Sequence, residues 1–313
     1  MDTDITNTDS KSEDIQACSI LLSKTRIQYL RQASLGAGSQ KPLIVLLHGF
    51  PENSWSWQAY INQLSETFTV IAPDLPGYNG SEGFSELHEY AVMNLVETMA
   101  EFIDAVSLRY QNKEASVAPV HLVAHDWGGV IAWPLCAFHS DKVRKLTILN
   151  AAHPSTFTRE MAQNPRQQAN SDYISDLISE RAFEITSADD CKMLKRLYGG
   201  WFKKLSPRQQ TNYLDQWHNR QSMENAFAYY KNMPQLVTTR IKANTDVQLP
   251  NINIHLPTQV LWGLKDTAFV PEVLDGMEDW VADLSLTTFD DADHWLHHQK
   301  VAEVLEKLVA FHT

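Results

Sequence analysis

Six short, mostly apolar runs constrain the fold of this chain more than anything else in it: residues 42–47, 68–72, 120–124, 146–149, 258–262 and 284–289. A strand with one wet face alternates apolar and polar residues. A strand buried on both faces does not, and such strands belong to parallel sheets covered by helices. Between the runs lie helical patterns, clearest from Tyr90 to Tyr110, where Leu95, Met99, Phe102, Ile103 and Val106 recur at helical spacing. This alternation specifies an α/β fold, a mainly parallel twisted sheet flanked by helices. Ahead of it, residues 18–34 place Lys24-Thr25-Arg26 between two apolar runs, which predicts an antiparallel hairpin. Counting the hairpin, the run at 146–149 is the sixth strand.

The regularity breaks after that strand. Residues 153–241 are helix-like, rich in Gln, Asn, Tyr and Trp, and lack strand-like runs. The organisation expected is a polar, disordered lead (1–16), a first part of the core (17–152), a helical cap (153–241) and a second part of the core (242–313). A cap inserted there lies over the carboxyl ends of the strands, where open α/β sheets place their sites.

The run at 120–124 leads into His125-Asp126-Trp127-Gly128-Gly129. An apolar strand followed by small-x-nucleophile-x-small is a nucleophile elbow, a turn tight enough to need small neighbours. A serine there attacks carbonyl carbon. A carboxylate there suits a saturated carbon bearing a leaving group, and yields an ester on the enzyme. Taken alone, Asp126 also fits the N-cap of the following helix.

Three further features bear on that choice. His48-Gly49-Phe50-Pro51-Glu52 follows the first buried strand, where hydrolases of this design supply one oxyanion-hole N–H; the other comes from the residue after the nucleophile. The donors are then Phe50 and Trp127. Asp266 stands just past the run at 258–262, and His294 follows the last strand. His297 and His298 come next, on a helix where a surface position is expected. The order Asp126, Asp266, His294 is the nucleophile–acid–histidine order of α/β-hydrolases. No second cluster has metal-ligand spacing, so no metal is expected.

With these motifs the chain resembles an α/β-hydrolase of the soluble epoxide hydrolase group, over roughly Leu43 to the C-terminus. His48-Gly49-Phe50-Pro51-Glu52, Ala72-Pro73-Asp74-Leu75-Pro76-Gly77-Tyr78, His125-Asp126-Trp127-Gly128-Gly129 and Asp293-His294-Trp295 carry the resemblance. It implies an α/β-hydrolase fold with a helical cap after the sixth strand, and a cis peptide at Phe50-Pro51. It also implies two cap tyrosines that protonate the opening epoxide. Tyr230, in Tyr229-Tyr230-Lys231-Asn232, fits one of them; Tyr173, after Asn164-Pro165, fits the other.

The resemblance implies hydrolysis of a small apolar epoxide to a vicinal diol, through an ester on Asp126, with no cofactor. A haloalkane dehalogenase using the same ester is the first alternative, but such enzymes commonly carry an amide side chain where this chain has Phe50. A non-catalytic ligand-binding member of the fold is the second. The net charge of −12 disfavours nucleic acid and anionic membrane surfaces as partners. No run approaches the roughly 18 apolar residues of a membrane span. Three scattered cysteines, Cys18, Cys136 and Cys191, suit free thiols in a reducing compartment, so a cytoplasmic location is expected. Oligomeric state is left open, a homo-oligomer being compatible.

Overall fold

The computed structural model describes residues 14–34, 41–111, 118–233, 236 and 248–313. The lead expected at 1–16 lies almost wholly outside the described residues, as does the boundary expected at 241–242.

Eight strands form one sheet: β1 (Ile15–Leu21), β2 (Arg26–Gln32), β3 (Leu43–Leu47), β4 (Thr69–Pro73), β5 (Val120–His125), β6 (Val143–Leu149), β7 (Thr258–Gly263) and β8 (Leu284–Phe289). Their order is β1-β2-β4-β3-β5-β6-β7-β8. The first hairpin pairs antiparallel, and β2 joins β4 antiparallel. From β4 through β8 every pairing is parallel. β3, β4, β5 and β7 bury every residue, as unbroken apolar runs require. The sixth run differs. β8 is the sheet's edge and buries no residue fully: Ser285, Leu286 and Thr288 are exposed, and Leu284, Thr287 and Phe289 are partly covered.

The chain leaves β3 for β4 on one side, then returns to place β5 on the other side of β3. That reversal opens a crevice at the carboxyl ends of β3 and β5, the usual place for a site in an open α/β sheet. At the opposite end of β5, His121 Nδ1 meets His312 Nδ1 at 2.8 Å, and His312 Nε2 meets the Thr147 hydroxyl at 2.9 Å. This pins the final helix, Val301–His312, beneath the sheet, away from the crevice.

The helices α1 (Gln58–Leu64), α2 (Val92–Tyr110) and α3 (Trp127–Phe138) connect the early strands. Between β6 and β7 come α4 (Pro154–Gln163), α5 (Pro165–Asn170), α6 (Ile174–Leu177), α7 (Ala182–Leu197), α8 (Pro207–His218) and α9 (Arg220–Lys231). Three of these open with proline at the first turn, where its missing N–H costs nothing. Asn164, Ser206 and Asn219 cap α5, α8 and α9 through their side chains. α7 is broken at residues 188–191, where Asp189, Asp190 and Cys191 have positive φ. After β8, α10 (Leu296–Gln299) precedes α11, the final helix. All three cysteines are free thiols. Among the described residues, no helix is long and apolar enough to cross a membrane.

Candidate active site

Asp126 sits at the sharp turn between β5 and α3 with φ 49° and ψ −118°. Non-glycine residues avoid this region, and the strain is sustained only by tight surroundings. Glycine supplies the room. A Cβ on Gly49 would lie 2.3 Å from the Asp126 Cβ, and one on Gly128 would lie 2.6 Å from the Leu47 carbonyl oxygen. Although Asp126 occupies the N-cap position of α3, its side chain makes no capping hydrogen bond. Instead Oδ1 accepts from the Phe50 N–H at 2.7 Å. The carboxylate therefore points into the crevice rather than back onto its helix.

The loop after β3 delivers that N–H. Its Phe50–Pro51 peptide is cis. His48 is buried and accepts from the Leu75 N–H at Nε2 (2.9 Å), which leaves Nδ1 to donate to the Gly49 carbonyl at 2.9 Å. Burial holds its pKa below the ordinary histidine value. Asp74 secures the same loop by accepting from the Ser54 N–H. Trp127, the first residue of α3, carries one of the helix N–H groups that have no partner within the helix.

His294 closes the arrangement. Its Nε2 lies 3.6 Å from Asp126 Oδ2, and its Nδ1 lies 2.9 Å from Asp266 Oδ2. Burial works against the charged imidazole. The carboxylates of Asp266 and Asp126 outweigh it, so the His294 pKa stands well above its ordinary value. Asp266 is itself held firmly. Oδ1 accepts from the Ala268 and Phe269 N–H groups at 2.7 and 3.0 Å, and Oδ2 accepts from Asn150 Nδ2 at 2.7 Å. The Asn150 amide also bonds both polar backbone atoms of Gly263, N–H at 2.9 Å and C=O at 3.2 Å.

A cavity of about 80 Å³ is bounded by Asp126, Phe50 and His294 from the core and by Tyr173 and Tyr230 from the helical segment. A second, of about 50 Å³, shares Asp126, Tyr173 and Tyr230 and continues past Trp127 to Val130, Phe157 and Met233. Tyr173 and Tyr230 face each other there, and the ring of Trp127 meets that of Tyr230 edge-on at 5.1 Å. Burial and the Asp126 charge raise the pKa of both tyrosines above the ordinary phenol value; Tyr173 adds to the rise at Tyr230, whereas the hydrogen bond with Tyr230 partly offsets the rise at Tyr173. Tyr229 turns the other way and donates to the Pro76 carbonyl at 2.7 Å.

The fold and this constellation can be set beside known proteins. A family model described as alpha/beta hydrolase fold matches residues 42–179. Epoxide hydrolase 3 of Xenopus tropicalis is 27% identical over 85% of this chain and 70% of its own length. Human epoxide hydrolase 4 is 27% identical over 90% and 75%. The crystal structure of an epoxide hydrolase from Bacillus megaterium is 30% identical, with a TM-score of 0.78, covering 94% of this chain and 99% of that one. The chain belongs to the epoxide hydrolases of the α/β-hydrolase superfamily.

In this epoxide hydrolase two groups around the site escaped the sequence reading. Asn150 gave no motif signal beyond its place immediately after β6. The other is a correction: His297 and His298 are not surface residues. His297 is fully buried, and His298 exposes only 7% of its side chain. Both bond the buried carboxylate of Glu52, Nε2 to Oε2 at 2.9 Å and Nε2 to Oε1 at 2.5 Å. These three residues are also the described group whose ligand atoms lie close enough to share a metal ion. Their separations are hydrogen-bond distances, so the atoms already satisfy one another.

Proposed function

We propose that the chain hydrolyses apolar epoxides to vicinal diols by way of an ester on Asp126. The observation that carries this reading is the convergence of Tyr173 and Tyr230 on the cavity that holds the Asp126 carboxylate. An epoxide oxygen is a poor leaving group unless protonated, and two phenols across from the nucleophile meet that need.

Oδ1 of Asp126 is tied to the Phe50 N–H, so Oδ2 is the free, attacking atom. It forms a bond to one epoxide carbon as the C–O bond on the opposite side breaks, and a tyrosine gives its proton to the departing oxygen. Ester formation removes the Asp126 charge. His294 loses one of the two carboxylates that favoured its protonated form and gives up its proton, which through the solvent restores the tyrosine; the neutral imidazole then takes a proton from water. The hydroxide adds to Cγ of Asp126, and the oxyanion rests on the Phe50 and Trp127 N–H groups. Collapse releases the diol, whose oxygen receives the proton from His294, and His294 takes up the proton left on the Asp126 carboxyl, which restores the carboxylate.

The helical segment acts as the cap over this chemistry, and its lining favours apolar substrates. Val130, Phe157 and Met233 also bound a larger cavity of about 370 Å³, reaching Val92, Met93 and Ile252. That volume lies in the range of small-molecule sites.

Tyr230→Phe tests the choice of leaving group. Loss of one preorganised donor to a developing oxyanion costs about 10²–10³-fold. We expect a fall of that size in kcat/KM for styrene oxide, with a smaller one for Tyr173→Phe. A haloalkane whose halide release survives Tyr230→Phe, with epoxide turnover undiminished, would point to a dehalogenase instead.

A further inference from the structure

Behind His125 lies a buried charge that the chemistry above does not use. Glu52 is fully buried, and burial opposes its ionisation. His297 and His298 overcome that and hold its pKa well below the usual carboxylate range. A carboxylate offers about four lone-pair sites, and here four donors surround it. His297 donates to Oε2; His298, Tyr213 (3.2 Å) and Tyr198 (3.5 Å) share Oε1. The donors come from separate parts of the molecule. The histidines follow His294 by three and four residues, Tyr213 is on α8, and Tyr198 immediately follows α7. Glu52 itself lies two residues beyond Phe50.

The parts are joined a second time around the catalytic histidine. Trp295 stacks on Tyr198 at 4.1 Å and 14°, and its indole N–H donates to the Leu197 carbonyl at 2.7 Å. His125, 3.7 Å from Glu52 at Nδ1, donates from Nε2 to the His294 carbonyl at 2.9 Å.

We propose that His298, together with His297, positions His294 by anchoring its segment to Glu52, and that ester hydrolysis depends on this anchor more than ester formation does. The proposal rests on the ester mechanism given above. Ester formation uses Asp126, Tyr173 and Tyr230, none of which bonds the cluster. Water attack uses His294, whose own chain segment carries two of the four donors.

His298→Leu removes a donor from Glu52, whereas His298→Gln retains an N–H. For the leucine variant we expect kcat to fall about tenfold, the scale of one lost hydrogen bond to a charged group. KM should fall in parallel and kcat/KM should stay near wild type, because that ratio reports ester formation. Intact-protein mass after acid quench during turnover should show ester accumulating on Asp126. His298→Gln should restore kcat to within about threefold. Tyr213→Phe, which removes a different donor, should shift the same quantities in the same direction and serves if the leucine variant fails to fold. Unchanged kcat in folded variants, or kcat and kcat/KM falling together without ester, would overturn the positioning role. A wild-type enzyme and a His294→Gln variant that both lack ester would instead remove the mechanism on which it rests.

Discussion

Asp126→Asn abolishes turnover while leaving the fold intact. The expected loss in kcat is about 10⁴-fold or more, the scale seen when a nucleophile is removed from a preorganised site. The physical reason is narrow. An amide oxygen at Oδ1 can still accept from the Phe50 N–H, now at 2.7 Å from the carboxylate, so the elbow keeps its geometry. The amide nitrogen at the other position has no free electron pair for attack on carbon. The contrast between lost activity and a melting temperature lowered only by the missing Asp126–His294 pairing separates a nucleophile from a helix cap. A cap residue would show the reverse, little effect on chemistry and a cost in stability. Steady-state kinetics on styrene oxide beside a thermal melt decide between them.

His294→Gln stops the reaction halfway. Ester formation needs no general base, so one equivalent of epoxide is consumed quickly. Hydrolysis then slows by about 10²–10⁴-fold, the usual worth of general-base help. The expected record is a burst of one equivalent per enzyme and a mass increase equal to the substrate. The same variant shows a pH-dependent change in stability. The folded His294 pKa is raised above the unfolded value of about 6.5. Its pairing with Asp266 and Asp126 therefore stabilises the fold fully below that pH, and the contribution is lost as pH rises through the folded value. The gap in melting temperature between wild type and variant should be widest in mild acid and should close at high pH. A variant that neither accumulates ester nor loses turnover would place the base elsewhere.

The sequence made some of this visible and hid the rest for identifiable reasons. β3, β4, β5 and β7 were legible because burial on both faces removes the alternation of a half-wet strand. The elbow was legible because a left-handed Asp126 needs small neighbours close in sequence. Asp266 and His294 could be read from their places just beyond strands. Tyr230 and Tyr173 came only from the family resemblance, since nothing in a helical aromatic stretch says which ring faces a cavity. β8 was read as apolar and is half exposed, because edge position is a property of sheet order, not of the strand's own residues. The role of Glu52 was hidden by distance. Its partners His297 and His298 lie 245 and 246 residues away in the chain, and two adjacent histidines at a helix start read locally as a solvated face. Asn150 was hidden likewise, its Asp266 partner being 116 residues on. A signal for Glu52 did exist. It is a charged residue amid Phe50, Pro51, Trp55 and Trp57, and a charge in such company is buried only when donors reach it.

The central claim is that Asp126 becomes covalently attached to substrate and that water then attacks Asp126, not the epoxide. A single turnover in ¹⁸O-labelled water, with enzyme in excess, tests it directly. Peptide mass analysis should find one ¹⁸O in the side chain of Asp126, while the diol leaves with an unlabelled oxygen taken from the enzyme. Label in the diol with none in Asp126 would mean that water opens the epoxide itself, and the ester mechanism would fall.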